Sequence, residues 1–237
     1  MDLSVVQQRL QQNLQSVNER IEQAAIKSGR AKTDVTLVAV TKYVDASITR
    51  ALVQSGHCVL GESRPQVLWD KAEELRKEAI QWHMIGNLQR NKAKRTVPYC
   101  SLIHSVGSLR LLKAIDAIGQ EINRRVECLL EVNISGEEAK HGLAATEVEA
   151  ALEQTAQLKN VQVNGLMAMA SLSGDADRNR KEFAMLRELR DKHAEFSAEN
   201  IRLHELSMGM SGDFEAAIEE GATLVRIGSV LFKGIRQ

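Results

Sequence analysis

Eight short apolar, β-branched runs, each followed by a helical stretch, constrain this 237-residue chain more than any other feature. The runs fall at residues 36–42, 58–60, 82–85, 101–105, 126–133, 161–169, 202–206 and 223–227. Helical patterning fills the intervals at 46–54, 65–79, a basic stretch from Arg90, 108–123, 146–158, 176–197 and 213–220. The first run, Thr36-Leu37-Val38-Ala39-Val40-Thr41-Lys42, is apolar on both faces, as a strand inside a parallel sheet is. Strand–helix alternation without a Pro/Gly/Ser linker predicts a parallel α/β fold. Eight units predict a closed (β/α)8 TIM-type barrel forming one domain over 1–237. An open doubly wound sheet is the alternative, although neither GxGxxG nor GxxxxGK[ST] follows any strand. Ahead of the first strand, Leu3, Val6, Leu10, Leu14, Val17, Ile21 and Ala24 form a stripe at three- and four-residue spacing. It predicts an additional N-terminal helix within 1–30, stopped at Gly29 and packed on the barrel or on a second copy, its charged face solvated.

Charge and composition narrow the function. The chain has 31 basic and 31 acidic residues and 3% aromatics. It lacks both the basic footprint of a nucleic-acid binder and the stacking platform of a single-strand binder. Neutrality also gives no attraction to an anionic membrane surface. No apolar run approaches the roughly 18 residues that span a bilayer. The first thirty residues carry Glu19 and Glu22 and lack a signal peptide's apolar segment, so the expected compartment is the cytoplasm. Cys58, Cys100 and Cys128 show no CxxC spacing, so neither a disulfide framework nor a metal site is expected.

In a barrel of this kind, chemistry collects at the C-terminal ends of the strands. Those ends hold Lys42, Glu62-Ser63, His83, Asn133, Met167, Ser207 to Ser211, and Arg226 to Ser229. A lysine ending an apolar strand reads, on this stretch alone, as one that reaches into solvent. The alternative is a desolvated lysine, held as the neutral amine that Schiff-base chemistry requires, and the rest of the chain moves the reading toward it. The loops after strands 7 and 8, Ser207-Met208-Gly209-Met210-Ser211-Gly212-Asp213 and Gly228-Ser229, consist largely of small residues that let backbone approach an anion. Ser211 can donate to a phosphate or cap the next helix, whose first N–H groups favour negative charge. An ordinary helix start is the alternative. Arg226 lies within the last strand and must find an acceptor: Glu62, Glu205 or a ligand. His83 and His204 lie in strands, as core or as catalytic histidines. Met167 and Met169 read as core or pocket wall. The basic stretch Arg90, Lys92, Lys94 and Arg95 reads as a solvated helix face. A Schiff-base lysine and a phosphate cradle at one mouth match a cofactor with an aldehyde and a phosphate, pyridoxal 5′-phosphate.

Several stretches carry a family resemblance: Val38-Ala39-Val40-Thr41-Lys42, Gly61-Glu62, Trp82-His83-Met84-Ile85-Gly86-Asn87-Leu88-Gln89, Val132-Asn133-Ile134, Gly165-Leu166-Met167, Leu206-Ser207-Met208-Gly209-Met210-Ser211, and Val225-Arg226-Ile227-Gly228-Ser229. In this order the chain resembles the pyridoxal phosphate homeostasis proteins, the YggS-like family. The resemblance implies a barrel like the N-terminal domain of alanine racemase and a Schiff base between Lys42 and pyridoxal 5′-phosphate. It implies phosphate contacts from Ser211, Gly228 and Ser229, with Ser207, and Arg226 facing the pyridine nitrogen. With Ser63 and Met167, the expected cofactor-binding set is Lys42, Ser63, Met167, Ser207, Ser211, Arg226, Gly228 and Ser229. Ser63, followed by Arg64 and Pro65, stands where the family usually has Asn.

The expected role is to hold and deliver the cofactor without turnover, with pyridoxal-phosphate-dependent apoenzymes as recipients. The chain is expected to be a monomer, with a dimer as the alternative. An amino-acid racemase is the competing reading. Two-base racemisation needs a second base, and only Tyr43 and Tyr99 are tyrosines. Strand alternation would point Tyr43 away from Lys42. The sequence ends at Gln237, so no further domain is expected to supply one. An arginine at the ring nitrogen also disfavours ring protonation and weakens the electron sink.

Overall fold

Each apolar run forms a strand of one parallel sheet. The computed structural model describes residues 3–137, 140–171, 175–196 and 198–235. The strands are β1 (Thr36–Val40), β2 (Val59–Glu62), β3 (Gln81–Met84), β4 (Cys100–Val106), β5 (Val126–Glu131), β6 (Val161–Met167), β7 (Ile201–Met210) and β8 (Leu224–Ile227). They pair in chain order, and β1 closes on β8 through Leu37↔Val225 and Val38↔Arg226. The result is the closed (β/α)8 barrel that the alternation predicts, not an open sheet. The helices are α1 (Leu3–Lys27), α2 (Ala46–Gln54), α3 (Pro65–Glu74), α4 (Arg90–Thr96), α5 (Leu109–Glu121), α6 (Val148–Thr155), α7 (Ala176–Lys192) and α8 (Phe214–Glu219).

Local chemistry sets where these elements start. Asp45, Ser108 and Asp175 cap α2, α5 and α7 by accepting from the amides of Ile48, Leu111 and Arg178. Pro65 opens α3, where its missing N–H costs nothing. The predicted end of the seventh helix, Ser197, lies outside the described residues; α7 ends at Lys192.

The largest departure from expectation is β7, which runs through Met210 rather than stopping near Leu206. Ser207 pairs with Leu224 and Met210 with Arg226, so three steps on β7 match two on β8. That extra residue is a bulge, and Gly209 carries it at φ +87°. A Cβ on Gly209 would stand 2.5 Å from the Ala217 Cβ in α8, so the close approach of helix and strand also requires glycine.

Two apolar clusters hold the fold. Val38, Leu102, Leu129, Met167 and Leu224 fill the barrel interior. A larger cluster, including Phe183 and Phe214, lies mostly between sheet and helices. Each fully buried Leu or Phe stabilises by about 2 kcal/mol. Helix α1 lays Val6, Leu10, Val17 and Ile21 against α8 and α2. Asn13 donates to the carbonyls of Leu231 and Lys233, tying down the C-terminal turn. The charged face of α1 is not simply solvated: Arg20 pairs with Glu215 and lies over the Phe214 ring, and Lys27 pairs with Glu219. These partly exposed pairs orient more than they stabilise, at under about 1 kcal/mol each. None of the described helices is long and apolar enough to cross a membrane.

Candidate functional site

At the C-terminal mouth of the barrel, a cavity of about 450 Å³ brings together Lys42, Ser63, Ser211, Arg226, Gly228 and Ser229. Met167 and Ser207 are not among its walls. Met167 is fully buried in the interior cluster. Ser207 sits inside the barrel, because the bulge extends β7 past it.

Lys42 is exposed, as a lysine reaching into solvent is, and not the desolvated amine of the alternative. Strand β1 stops at Val40, and Thr41 to Val44 turn back, with the Val44 amide donating to the Thr41 carbonyl at 3.1 Å. The turn also places Tyr43 in the same cavity, its ring 4.8 Å from the Lys42 Nζ, where alternation along a strand would have pointed it away. The buried lysine here is Lys71. Its Nζ lies 2.6 Å from Glu62 Oε1 and donates to the Thr41 carbonyl, while the Thr41 hydroxyl donates to the same Glu62 oxygen. This triad braces the turn that presents Lys42. Its integrity matters, because removing one member of a buried pair costs about 3–5 kcal/mol.

Beside the Lys42 turn, where β8 pairs with β1, the loops after β7 and β8 are joined by one hydrogen bond: the Gly228 amide donates to Ser211 Oγ at 3.2 Å. A Cβ on Gly228 would lie 3.2 Å from the Val40 carbonyl oxygen, and Gly212 faces open space. The amides of Gly212 and Ser229 make no bond among the described residues. Small residues and free N–H groups around a hydroxyl form a concave surface suited to phosphate. Asp213 stiffens its base by accepting from the Met210 amide at 2.6 Å.

Arg226 reaches the cavity from inside the barrel, only 4% exposed. It pairs with neither Glu62, which Lys71 occupies, nor Glu205, which accepts from Thr223. Its Nη1 donates to Ser207 Oγ at 2.5 Å and its Nη2 to the Ala168 carbonyl at 2.9 Å. Burial lowers its pKa to about 10, against the opposing charges of Glu131 and Asp213. It remains a cation at neutral pH, with donors left for a ligand.

Three features were not singled out by sequence reading. Glu131 lines the cavity because β5 ends there rather than at Asn133, and burial pushes its carboxyl pKa up. Asn133 instead folds its own loop, accepting from the Gly136 amide and donating to the Glu137 carbonyl. Asn87 and His141 meet at 3.2 Å on the cavity rim. Finally, His104 is fully buried and links Ser207 to His83. His83 itself lies at the opposite mouth with Thr36, Gln81 and Glu127. His204 is exposed on β7.

An amine, an N–H-lined cradle and a buried cation with spare donors surround one cavity, and each matches one functional group of pyridoxal 5′-phosphate. The comparisons with known proteins agree. The family model described as "Alanine racemase, N-terminal domain" matches residues 6–235. A protein of Aquifex aeolicus named pyridoxal phosphate homeostasis protein is 40% identical over 222 residues, covering 93% of this chain and 96% of the relative. PipY of Synechococcus elongatus, solved with PLP bound, superposes with a TM-score of 0.82 at 33% identity, covering 94% of this chain and 99% of that one. An alanine racemase of Clostridium difficile superposes at 0.72 with 14% identity, covering 97% of this chain and 58% of that one, which shows the shared fold alone. The chain thus belongs to the alanine racemase N-terminal-domain family and, within it, to the pyridoxal phosphate homeostasis proteins.

Proposed function

We propose that this chain binds pyridoxal 5′-phosphate at the C-terminal mouth of its barrel and holds it for delivery, without turnover of its own. The observation that carries this reading is the Ser211–Gly228 hydrogen bond, which assembles a cradle on the cavity that Lys42 lines. Bound pyridoxal phosphate supplies an aldehyde that condenses reversibly with an amine. Lys42 provides that amine from an exposed turn, where exchange with a recipient is open. Ser211, Gly228 and Ser229 hold the phosphate, Arg226 donates to the ring nitrogen, and Ser63 faces the ring edge. The PLP-bound structure of PipY, 33% identical to this chain, supports pyridoxal phosphate as the ligand.

The non-catalytic part of the reading rests on Arg226. A permanent donor at the ring nitrogen opposes ring protonation and leaves a poor electron sink. The name shared by the relatives supports a homeostatic role. Residues 1–237 act as one unit in the cytoplasm, as a monomer or a dimer, with pyridoxal-phosphate-dependent apoenzymes as recipients. The racemase reading has one observation in its favour, Tyr43 in the cavity beside Lys42.

The deciding experiment is an absorbance spectrum before and after borohydride reduction, with peptide mass mapping. A band that reduction shifts, with a pyridoxyl adduct on Lys42, is expected. No band after added pyridoxal phosphate would refute the binding assignment, and alanine racemisation by the pure protein would overturn the carrier role.

A further inference from the structure

A chain of four buried side chains runs along the barrel interior from one mouth to the other. Arg226 Nη1 donates to Ser207 Oγ, which lies 2.8 Å from His104 Nδ1, and His104 Nε2 lies 3.0 Å from His83 Nδ1. Arg226, Ser207, His104 and His83 are each at most 5% exposed. They come from β8, β7, β4 and β3.

The direction of this chain follows from its first member. A guanidinium only donates, so Ser207 Oγ accepts from Arg226 and must place its own proton elsewhere. The acceptor within reach is His104 Nδ1. His104 is then the Nε2–H tautomer and donates to His83 Nδ1, which makes His83 the Nε2–H tautomer as well. Burial, reinforced by the neighbouring His83 and then by the charge of Arg226, keeps His104 neutral, as this arrangement requires. The Nε2–H of His83 is left for the far mouth, where the ring reaches the lining of a second cavity. Arg226 has no carboxylate partner among the described residues, so its direction is set by Ser207 and the Ala168 carbonyl. The Ser207 hydroxyl is free to rotate except for its bond to His104.

We propose that Ser207 and His104 are positioning residues: through a one-way hydrogen-bond chain anchored on His83, they fix the direction in which Arg226 presents its guanidinium to the pyridine ring. This rests on the cofactor assignment above. The chain has a physical consequence of its own. Breaking it leaves the Ser207 proton without an acceptor, so the hydroxyl that accepts from Arg226 no longer has one fixed orientation. Arg226 then keeps Ser207 only as a loosely oriented acceptor, and the cation it presents to the ring is less well fixed.

The test uses the full chain with pyridoxal phosphate as titrant. Ser207→Ala and His104→Leu are each expected to weaken binding on the order of tenfold, the loss of one orienting hydrogen bond to a charged group. Both are expected to shift the absorbance maximum of the bound cofactor. His104→Asn keeps an acceptor near the Nδ1 position and is expected to restore most of both signals. The deciding arm is a double-mutant cycle. In an Arg226→Gln background, Ser207→Ala is expected to cost nothing further. An undiminished cost there, or unaltered spectra and affinity in both single variants, would overturn the proposal. Absent cofactor binding by the unmodified chain would instead refute the parent assignment, and thermal unfolding without cofactor checks that each variant is folded.

Discussion

Lowering the pH should weaken this fold through His83, by an amount that can be worked out. Burial lowers its pKa from 6.5 to about 4. Between those values the unfolded chain binds a proton at this site and the native chain does not. Stability is therefore fully present above pH 6.5 and falls as the pH descends, by about 1.4 kcal/mol per pH unit. From pH 6.5 to pH 5 the loss is about 2 kcal/mol, and it levels off near pH 4, where the native histidine also protonates. His104, held well below its ordinary pKa by burial, acts in the same direction. The physical event behind the loss is the arrival of charge on a buried imidazole; in the hydrogen-bond chain proposed above, the added N–H would also face that of His104. The assay is urea unfolding at pH 7 and pH 5, without cofactor, for the unmodified protein and for His83→Gln. The variant is destabilised at both pH values but should lose about 2 kcal/mol less between them. Carboxylates contribute equally to both proteins and cancel in the comparison. An identical pH 7-to-5 loss in the two proteins would show that His83 titrates normally and that the interior is wet.

Other substitutions probe the mouth. Lys42→Ala should abolish borohydride trapping of pyridoxal phosphate while leaving weak binding through the Ser211–Gly228 cradle, measurable by fluorescence titration. Arg226→Gln should loosen cofactor binding by about tenfold or more while the melting temperature without cofactor falls only slightly; a large fall would make the arginine a structural residue. Lys71→Met should cost about 3–5 kcal/mol by urea unfolding, because Glu62 is left as an unpaired buried carboxylate, and Glu62→Gln in the same chain should recover much of that loss.

The barrel and its element order were legible because hydrophobic periodicity reports burial directly, and eight alternations leave few architectures. The lip of the barrel was less legible. The desolvated alternative for Lys42 assumed that β1 continues to it, but the strand stops at Val40. The same turn moved Tyr43 into the cavity. Ser207 read as part of a phosphate loop because a run of small residues gives no sign of a bulge. The positive φ of Gly209 and its contact with α8 appear only once helix and strand are packed. His104 carried no signal at all, since its partners lie on β3 and β7, and barrel closure alone makes them neighbours. Ser211, Gly228 and Ser229 were legible as neighbours at one mouth, because they follow adjacent strands.

The closure of β1 on β8 also orders events in time. Lys42 lies near the beginning of the chain, and Arg226, Gly228 and Ser229 near its end. A nascent chain that stops before Leu224 carries Lys42 but neither the last strand nor Gly228 and Ser229. Contacts this distant in sequence form late, because loop closure must precede them. Such a chain remains blind to the cofactor until its last strand has emerged and docked. Pyridoxal phosphate bound during synthesis would therefore report completion of the ring rather than its early stages, and would favour finished chains over stalled ones.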